Sequence, residues 1–216
     1  MTDTACNRRQ FLQSGTTTLG ALGGMSLAPA LFVHAAEERP EAPIRLVLMG
    51  LHSRELQLLH SLMKFSPSEV EIVTLADPDS EVFAPALKVL ADHKRPVPET
   101  VADFRRGLDD PKVDALVCAA PDHWHALATI WGCQAGKHVY VEKPVCHNPA
   151  EGWTMVAAAR KYDRKVQAGT QRRSAAEIRE AIELIHAGKI GKVHLVKCWT
   201  TGERPSIGKE EVISPP

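Results

Sequence analysis

From Ile44 onward the chain alternates short apolar, β-branched runs with stretches of helical periodicity, and no other feature restricts its folding as strongly. Strands joined by helical crossovers pair in parallel and are covered on both faces, so each reads as an apolar run instead of an in-out alternation. Ile44 to Met49 is such a run, interrupted only by Arg45. Leu56, Leu59 and Met63 follow at helical spacing, and residues 71–76 are predicted to form a second strand that ends at Asp77. A helix-rich stretch containing Phe104 and Leu108 leads to an apolar strand over 113–119, with further strands expected over 138–141 and 165–168. Asp122 reads as the N-cap of a helix with Leu127, Ile130 and Trp131 on one face, which stops at Gly136. Asn148, Pro149 and Glu151 fit N-cap, N1 and N3 of another, with Trp153, Val156 and Ala157 expected on its buried side. This order predicts an α/β fold, a Rossmann-type doubly wound parallel sheet spanning residues 44–170.

Composition agrees with a globular domain and narrows its partners. Of the 216 residues 44% are hydrophobic, enough for a sizeable core, and the 26 basic and 26 acidic side chains cancel. A cancelled charge leaves no broad basic field for nucleic acid. The cysteines (Cys6, Cys118, Cys133, Cys146 and Cys198) are scattered without a C-x-x-C pair or zinc spacing, and read as thiols rather than a disulfide framework.

Residues 1–36 read as an export address. Arg8 and Arg9 precede Phe11 and Leu12, and the weakly hydrophobic stretch that follows is broken by Gly15, Gly20, Gly23, Gly24 and Pro29. It falls short of the ~20 apolar residues of a stable membrane span, so a twin-arginine signal cleaved after Ala35 or Ala36 is expected, with the export machinery as partner and a periplasmic destination. Residues 37–43, with Pro40 and Pro43, read as a linker.

In a Rossmann fold the turn after the first strand carries phosphates, because glycine lets the backbone approach and the following helix offers unpaired N–H groups. Here the turn is Gly50-Leu51-His52-Ser53-Arg54-Glu55, with only the first glycine of G-x-G-x-x-G. Asp77 stands at the strand end where a carboxylate binds the adenosine ribose, which favours NAD over NADP; the alternative is that Asp77-Pro78-Asp79 only forms a turn.

The block Ala120-Pro121-Asp122-His123-Trp124-His125-Ala126, followed by Gly136-Lys137-His138 and Glu142-Lys143-Pro144, resembles the Gfo/Idh/MocA oxidoreductases, and Gly169-Thr170-Gln171-Arg172-Arg173-Ser174 extends the likeness. The resemblance implies an NAD(P)-linked hydride transfer at a sugar or cyclitol carbon, with Lys143 beside the nicotinamide and the reacting hydroxyl. It also implies that Pro121 and the loop through His125 frame the cofactor. An ammonium at the sheet edge can stabilise charge on a substrate oxygen, and Glu142 can orient it. His123 is expected to face the cofactor pocket; His125 is either a pocket residue or a packed helix residue, and His-x-His without a third ligand does not make a metal site. Arg172 and Arg173 either reach substrate or form a basic turn.

Two departures from the family pattern carry expectations of their own. His52 and Glu55 replace the second and third glycines, so the imidazole is expected to crowd a pyrophosphate and the carboxylate to oppose it. Residues 171–216 read as only the start of an α+β substrate domain, with a first strand over 192–201, whereas complete members continue and supply an acid/base histidine for which this chain offers no candidate. Besides the oxidoreductase reading, the sequence leaves open an NAD-dependent glycosidase of the same superfamily and a non-catalytic binding protein.

Overall fold

A computed structural model describes residues 42–199 and Gly202. The apolar runs become six strands: β1 (Ile44–Met49), β2 (Val70–Ala76), β3 (Glu99–Val101), β4 (Ala115–Cys118), β5 (His138–Glu142) and β6 (Val166–Gly169). They form one sheet in the order β3-β2-β1-β4-β5-β6, every neighbouring pair parallel. This is the doubly wound order, in which the chain runs outward from β1 in one direction and then returns to build outward from β4 in the other. The helices are α1 (Ser53–Leu62), α2 (Phe83–Asp92), α3 (Arg105–Leu108), α4 (Asp122–Gln134), α5 (Pro149–Lys161) and α6 (Ala176–His186).

Alternate side chains of β1 enter two separate cores. Leu46 and Leu48 join Leu59 of α1 and Met63 just past its end with Ala86 and Leu90 of α2, whereas Val47 and Met49 join Phe104, Leu108, Ala126 and Met155 on the other face. Each fully buried aliphatic side chain contributes about 1.5–3 kcal/mol, so the apolar runs stabilise the sheet by being covered twice. Arg45, the one charge in β1, lies at its outer end, 3.6 Å from Glu71 and 3.5 Å from Asp110.

At the same N-terminal edge of the sheet, Lys137 is buried beneath the turn that leads into β4. Its ammonium donates to the carbonyls of Asp110 at 2.7 Å and Val113 at 2.8 Å. Burial pulls this ammonium below its ordinary value, but the two carbonyls give its protons partners. The Gly136-Lys137-His138 block therefore has a structural function, far along the strands from the C-terminal edge.

Several local expectations shift. Helix α4 begins at Asp122 with Pro121 in the cap position, so Asp122 is not the N-cap. Its buried stripe runs through His125, Ala126, Ala128, Thr129, Gly132 and Cys133, while Leu127 is exposed. Small residues win that face because the helix lies close on β5, where a Cβ on Gly132 would stand 2.8 Å from Val139. Helix α5 has the expected Asn148 cap, whose side chain accepts from the Glu151 N–H at 3.1 Å. Its buried residues, however, are Met155 and Ala158, and Trp153 is 76% exposed. The helix carries apolar residues on two faces, and the face of Met155 and Ala158 packs.

Strand β3 is short and only Val101 is buried, which left no apolar run to read. The strand expected over 192–201 does not form across its described part, 192–199, where every residue is exposed. Helix α6 likewise exposes Ile178, Ile182 and Ile185. Among the described residues no helix is long and apolar enough to cross a membrane, and Cys118, Cys133, Cys146 and Cys198 are free thiols. The signal expected over 1–36 lies outside the described residues.

Candidate dinucleotide site

The point where the strand order reverses lies between β1 and β4, and a crevice opens there beyond the strand ends. Its cavity measures about 660 Å³ and takes residues from the ends of four strands, including Gly50, Asp77, Ala102 and Ala120. That volume is in the range of cofactor sites.

Gly50 is fixed by two independent constraints. Its φ of +87° is unfavourable for side chains other than glycine, and a Cβ would lie 2.4 Å from both N and Cα of Ala120. The loops after β1 and β4 can touch only because this residue has no side chain. The next N–H, that of Leu51, donates to Asp77 Oδ2 at 2.8 Å, while Asp77 Oδ1 accepts from Asp79 N–H at 3.0 Å. Asp77 thus combines the two readings made of it. It braces the loop and forms its own turn, yet it also lines the cavity, and a carboxylate has acceptor capacity beyond two hydrogen bonds.

The residues at the two replaced glycines behave differently from each other. His52 has φ −70° and ψ −171°, ordinary extended backbone, so no glycine is needed for conformation; its side chain does stand in the cavity wall. Glu55 is not in that wall. It is 1% exposed, packed under α1 with neither carboxyl oxygen hydrogen-bonded, and burial raises its carboxyl well above the ordinary range. A carboxyl turned inward, away from the cavity, does not face the place of a pyrophosphate, so the obstruction expected from Glu55 is not found at the cavity.

A second group of residues gathers at the end of β5. Glu142 is almost completely buried and accepts from Arg54 Nη2 at 2.6 Å, Tyr140 Oη at 3.1 Å and Lys143 N–H at 3.1 Å. Burial alone pushes this carboxyl up, but the donors from Arg54, Lys143 and Tyr140 outweigh it and hold Glu142 below the ordinary carboxylate range. Gly169 supplies the room, since a Cβ there would stand 2.7 Å from both Glu142 Oε1 and Tyr140 Oη. Lys143 follows at the C-terminal edge of the sheet with its side chain exposed, outside the cavity wall, and the Lys143–Pro144 peptide is cis.

Of the other expected site residues, Pro121 lines the cavity and His123 is exposed beside Asp122, at 4.0 Å, away from the wall. His125 is buried, with Nδ1 2.5 Å from the Pro144 carbonyl and Nε2 2.8 Å from the Ala120 carbonyl. It is a packed helix residue between the β4 loop and the Lys143–Pro144 loop, with one ring nitrogen facing a carbonyl of each and the N–H of its tautomer donating to one of them. Among the described residues no group of three or more His, Cys, Asp or Glu gathers as a metal site.

The cavity also contains residues the sequence did not single out for binding. Phe104 stacks on Trp131 with centroids 5.9 Å apart, Arg105 lies 5.4 Å over the same indole, and Trp124 and Arg54 complete the wall. The helical spacing puts Trp131 on one face with Leu127 and Ile130; in the structure it is half-buried and lines the cavity, while the small residues of α4 pack on the sheet.

With this geometry established, comparison with known proteins decides the family. Residues 44–170 match the GFO_IDH_MocA family, described as an oxidoreductase family with an NAD-binding Rossmann fold. The chain belongs to the Gfo/Idh/MocA oxidoreductases. Its similar proteins include the uncharacterized oxidoreductase YrbE of Bacillus subtilis, 30% identical over 126 residues, which are 58% of this chain and 37% of that protein. Glycosyl hydrolase family 109 protein 1 of Shewanella sp. MR-4 is 24% identical over 170 residues, 71% of this chain and 37% of that protein. The crystal structure of myo-inositol 2-dehydrogenase from Lactobacillus plantarum superposes with a TM-score of 0.61 at 25% identity, covering 70% of this chain and 43% of that one. The chain therefore spans less than half the length of these relatives.

As a member of this family the protein has a cavity that fits an NAD dinucleotide: glycine-mediated backbone approach at Gly50, N–H groups at the start of α1, and a buried acidic residue at the end of β2. The unusual element is Glu55 inside the helix–sheet contact. Above its ordinary value of 4.5 the unfolded chain releases a proton that the folded protein retains. Its contribution to stability is thus fully present below that pH and declines as pH rises toward the folded-state value. Replacing Glu55 by Gln keeps the shape and removes the titration. The melting temperature of Glu55→Gln relative to the parent should climb by a few degrees from about pH 4 to about pH 8; a difference that does not change with pH would mean that the buried carboxyl does not titrate differently in the folded and unfolded states.

Proposed function

We propose that the protein takes part in an NAD-dependent oxidation or reduction at a hydroxyl-bearing carbon of a sugar or cyclitol. The observation that carries this reading is the cavity at the β1/β4 reversal, with Gly50 pressed against Ala120 and Asp77 braced beneath the loop. Similarity to a myo-inositol 2-dehydrogenase supports the substrate class. Gly50, the α1 N-terminus and Arg54 would hold the pyrophosphate, Asp77 the adenosine ribose, and Pro121 the wall between the two halves of the cofactor. When bound, NAD supplies the carbon that accepts or gives the hydride.

The protein's own part in the chemistry falls to Lys143. Its ammonium, exposed at the edge of the sheet, would donate a hydrogen bond to the substrate oxygen and stabilise the negative charge left there as the hydroxyl proton passes to bulk water, with the proton returning the same way in reduction. Glu142 fixes the backbone from which Lys143 projects, and His125 holds the following residue, Pro144, against the β4 loop. His123, exposed beside Asp122, is assigned no contact with the cofactor. Similarity to a glycosyl hydrolase family 109 protein supports a second reading, in which the oxidation is transient and a glycosidic bond is cleaved. Glycoside turnover without accumulation of NADH would favour it.

Two outcomes test these assignments. NAD should bind at least about tenfold more tightly than NADP, because Asp77 repels a 2′-phosphate, and that factor is about 1.4 kcal/mol. Asp77→Ala should weaken both cofactors, since the Leu51 N–H loses its acceptor, and should narrow the gap between them. Calorimetric titrations that are equal for NAD and NADP in the parent would remove Asp77 from this role. We also propose export by the twin-arginine route to the periplasm. Changing Arg8 and Arg9 together to lysine should then leave the precursor in the cytoplasm, and undiminished export of that variant would contradict it.

A further inference from the structure

Arg54 is the one cation of the phosphate loop, and it is already engaged. Its Nη2 lies 2.6 Å from Glu142 Oε1 and its Nη1 donates to Gln57 Oε1 at 2.9 Å, while its buried Nε has no partner. The side chain still lines the cavity beside Gly50, His52 and Ser53. Glu142 is 4% exposed, so its charge has little solvent to disperse it and depends on the donors around it. Any anion that enters the cavity at this loop meets a guanidinium whose charge is shared with a buried carboxylate.

We propose that Arg54 is a shared cation, held by Glu142 when the cavity holds no ligand and drawn toward the pyrophosphate when a dinucleotide binds. The inference depends on the reading of the cavity as a dinucleotide site. Glu142 and the phosphates then compete for one guanidinium, so the buried carboxylate lowers dinucleotide affinity while keeping Arg54 preorganised in the wall. A loop that has lost two of its three glycines offers less backbone approach, and a forked side-chain donor supplies the missing anion contact. The arrangement also links the phosphate loop to the strand end that carries Lys143, since Glu142 is hydrogen-bonded to both Arg54 and the Lys143 N–H.

The test compares ADP-ribose, which carries the pyrophosphate, with adenosine, which does not, by calorimetry on the parent, Glu142→Gln, Arg54→Lys and the double variant Arg54→Gln/Glu142→Gln. The single glutamine variant removes the competitor, and the double variant avoids leaving a buried carboxylate unpaired. Glu142→Gln should bind ADP-ribose about fivefold or more tightly than the parent, and the double variant should lose about tenfold or more relative to Glu142→Gln, each with adenosine unchanged. Arg54→Lys, which keeps the charge without the fork, should weaken ADP-ribose alone and provides the reading if a glutamine variant does not fold. Weaker or unchanged ADP-ribose binding in Glu142→Gln, or equal losses for ADP-ribose and adenosine when Arg54 is changed, would overturn the shared-cation proposal and leave Arg54 as a strap. A parent that binds neither ADP-ribose nor NAD would instead overturn the underlying reading of the cavity.

Discussion

The close approach of Gly50 to Ala120 is the contact on which the rest of the site depends. A backbone with φ +87° whose absent Cβ leaves room for a neighbouring main chain can occur only at glycine, and here it brings together the loops after two strands that are adjacent in the sheet but distant in sequence. Asp77 then fixes the loop by accepting the Leu51 N–H, and β2 is joined to the same crevice. The cavity is a consequence of strand order combined with this one unobstructed crossing.

Two buried carboxyls lie behind that crevice with opposite solutions to the same cost. Glu142 gathers three donors that hold its carboxyl below the ordinary range, whereas Glu55 finds none and burial raises its carboxyl well above it. Their proximity matters, because the charge on Glu142 is among the influences that raise the Glu55 carboxyl, second to burial itself. A glycine in place of Glu55 would let α1 sit on the sheet without a polar group in the contact. This chain instead carries a carboxyl there, and the helix accommodates it without turning it toward the cavity.

The sheet was legible because a doubly covered strand leaves an unmistakable apolar run, and β1, β4 and β5 each left one. Gly50 and Asp77 were legible because the fold assigns those positions by topology, and Pro121, which lines the cavity, because the family resemblance pointed to its loop. What could not be read was direction within an element. Helix α4 has large apolar residues on one side and small ones on another, and the small side packs because it allows a closer approach to β5; in α5 the face of Met155 and Ala158 packs and Trp153 is exposed. Glu55 was misread for a related reason, since loop position alone does not say whether a side chain turns outward to the ligand or inward under its helix. The stacking of Phe104, Trp131 and Arg105 joins α3 to α4 across a gap in sequence that no local pattern spans. Likewise, the two carbonyl contacts of His125 appear only once the loops after β4 and β5 are side by side.

The claim that the crevice between β1 and β4 holds the dinucleotide is tested most directly by mapping amide chemical shifts of nitrogen-15-labelled protein during a titration with NAD. The account predicts that the largest changes fall on Gly50, Leu51, His52 and Ser53, with smaller ones at Asp77, Ala119 and Ala120, and little at the outer face of α5 around Trp153. Saturable changes that cluster on α5 or β6, with Gly50 and Leu51 unmoved, would contradict it.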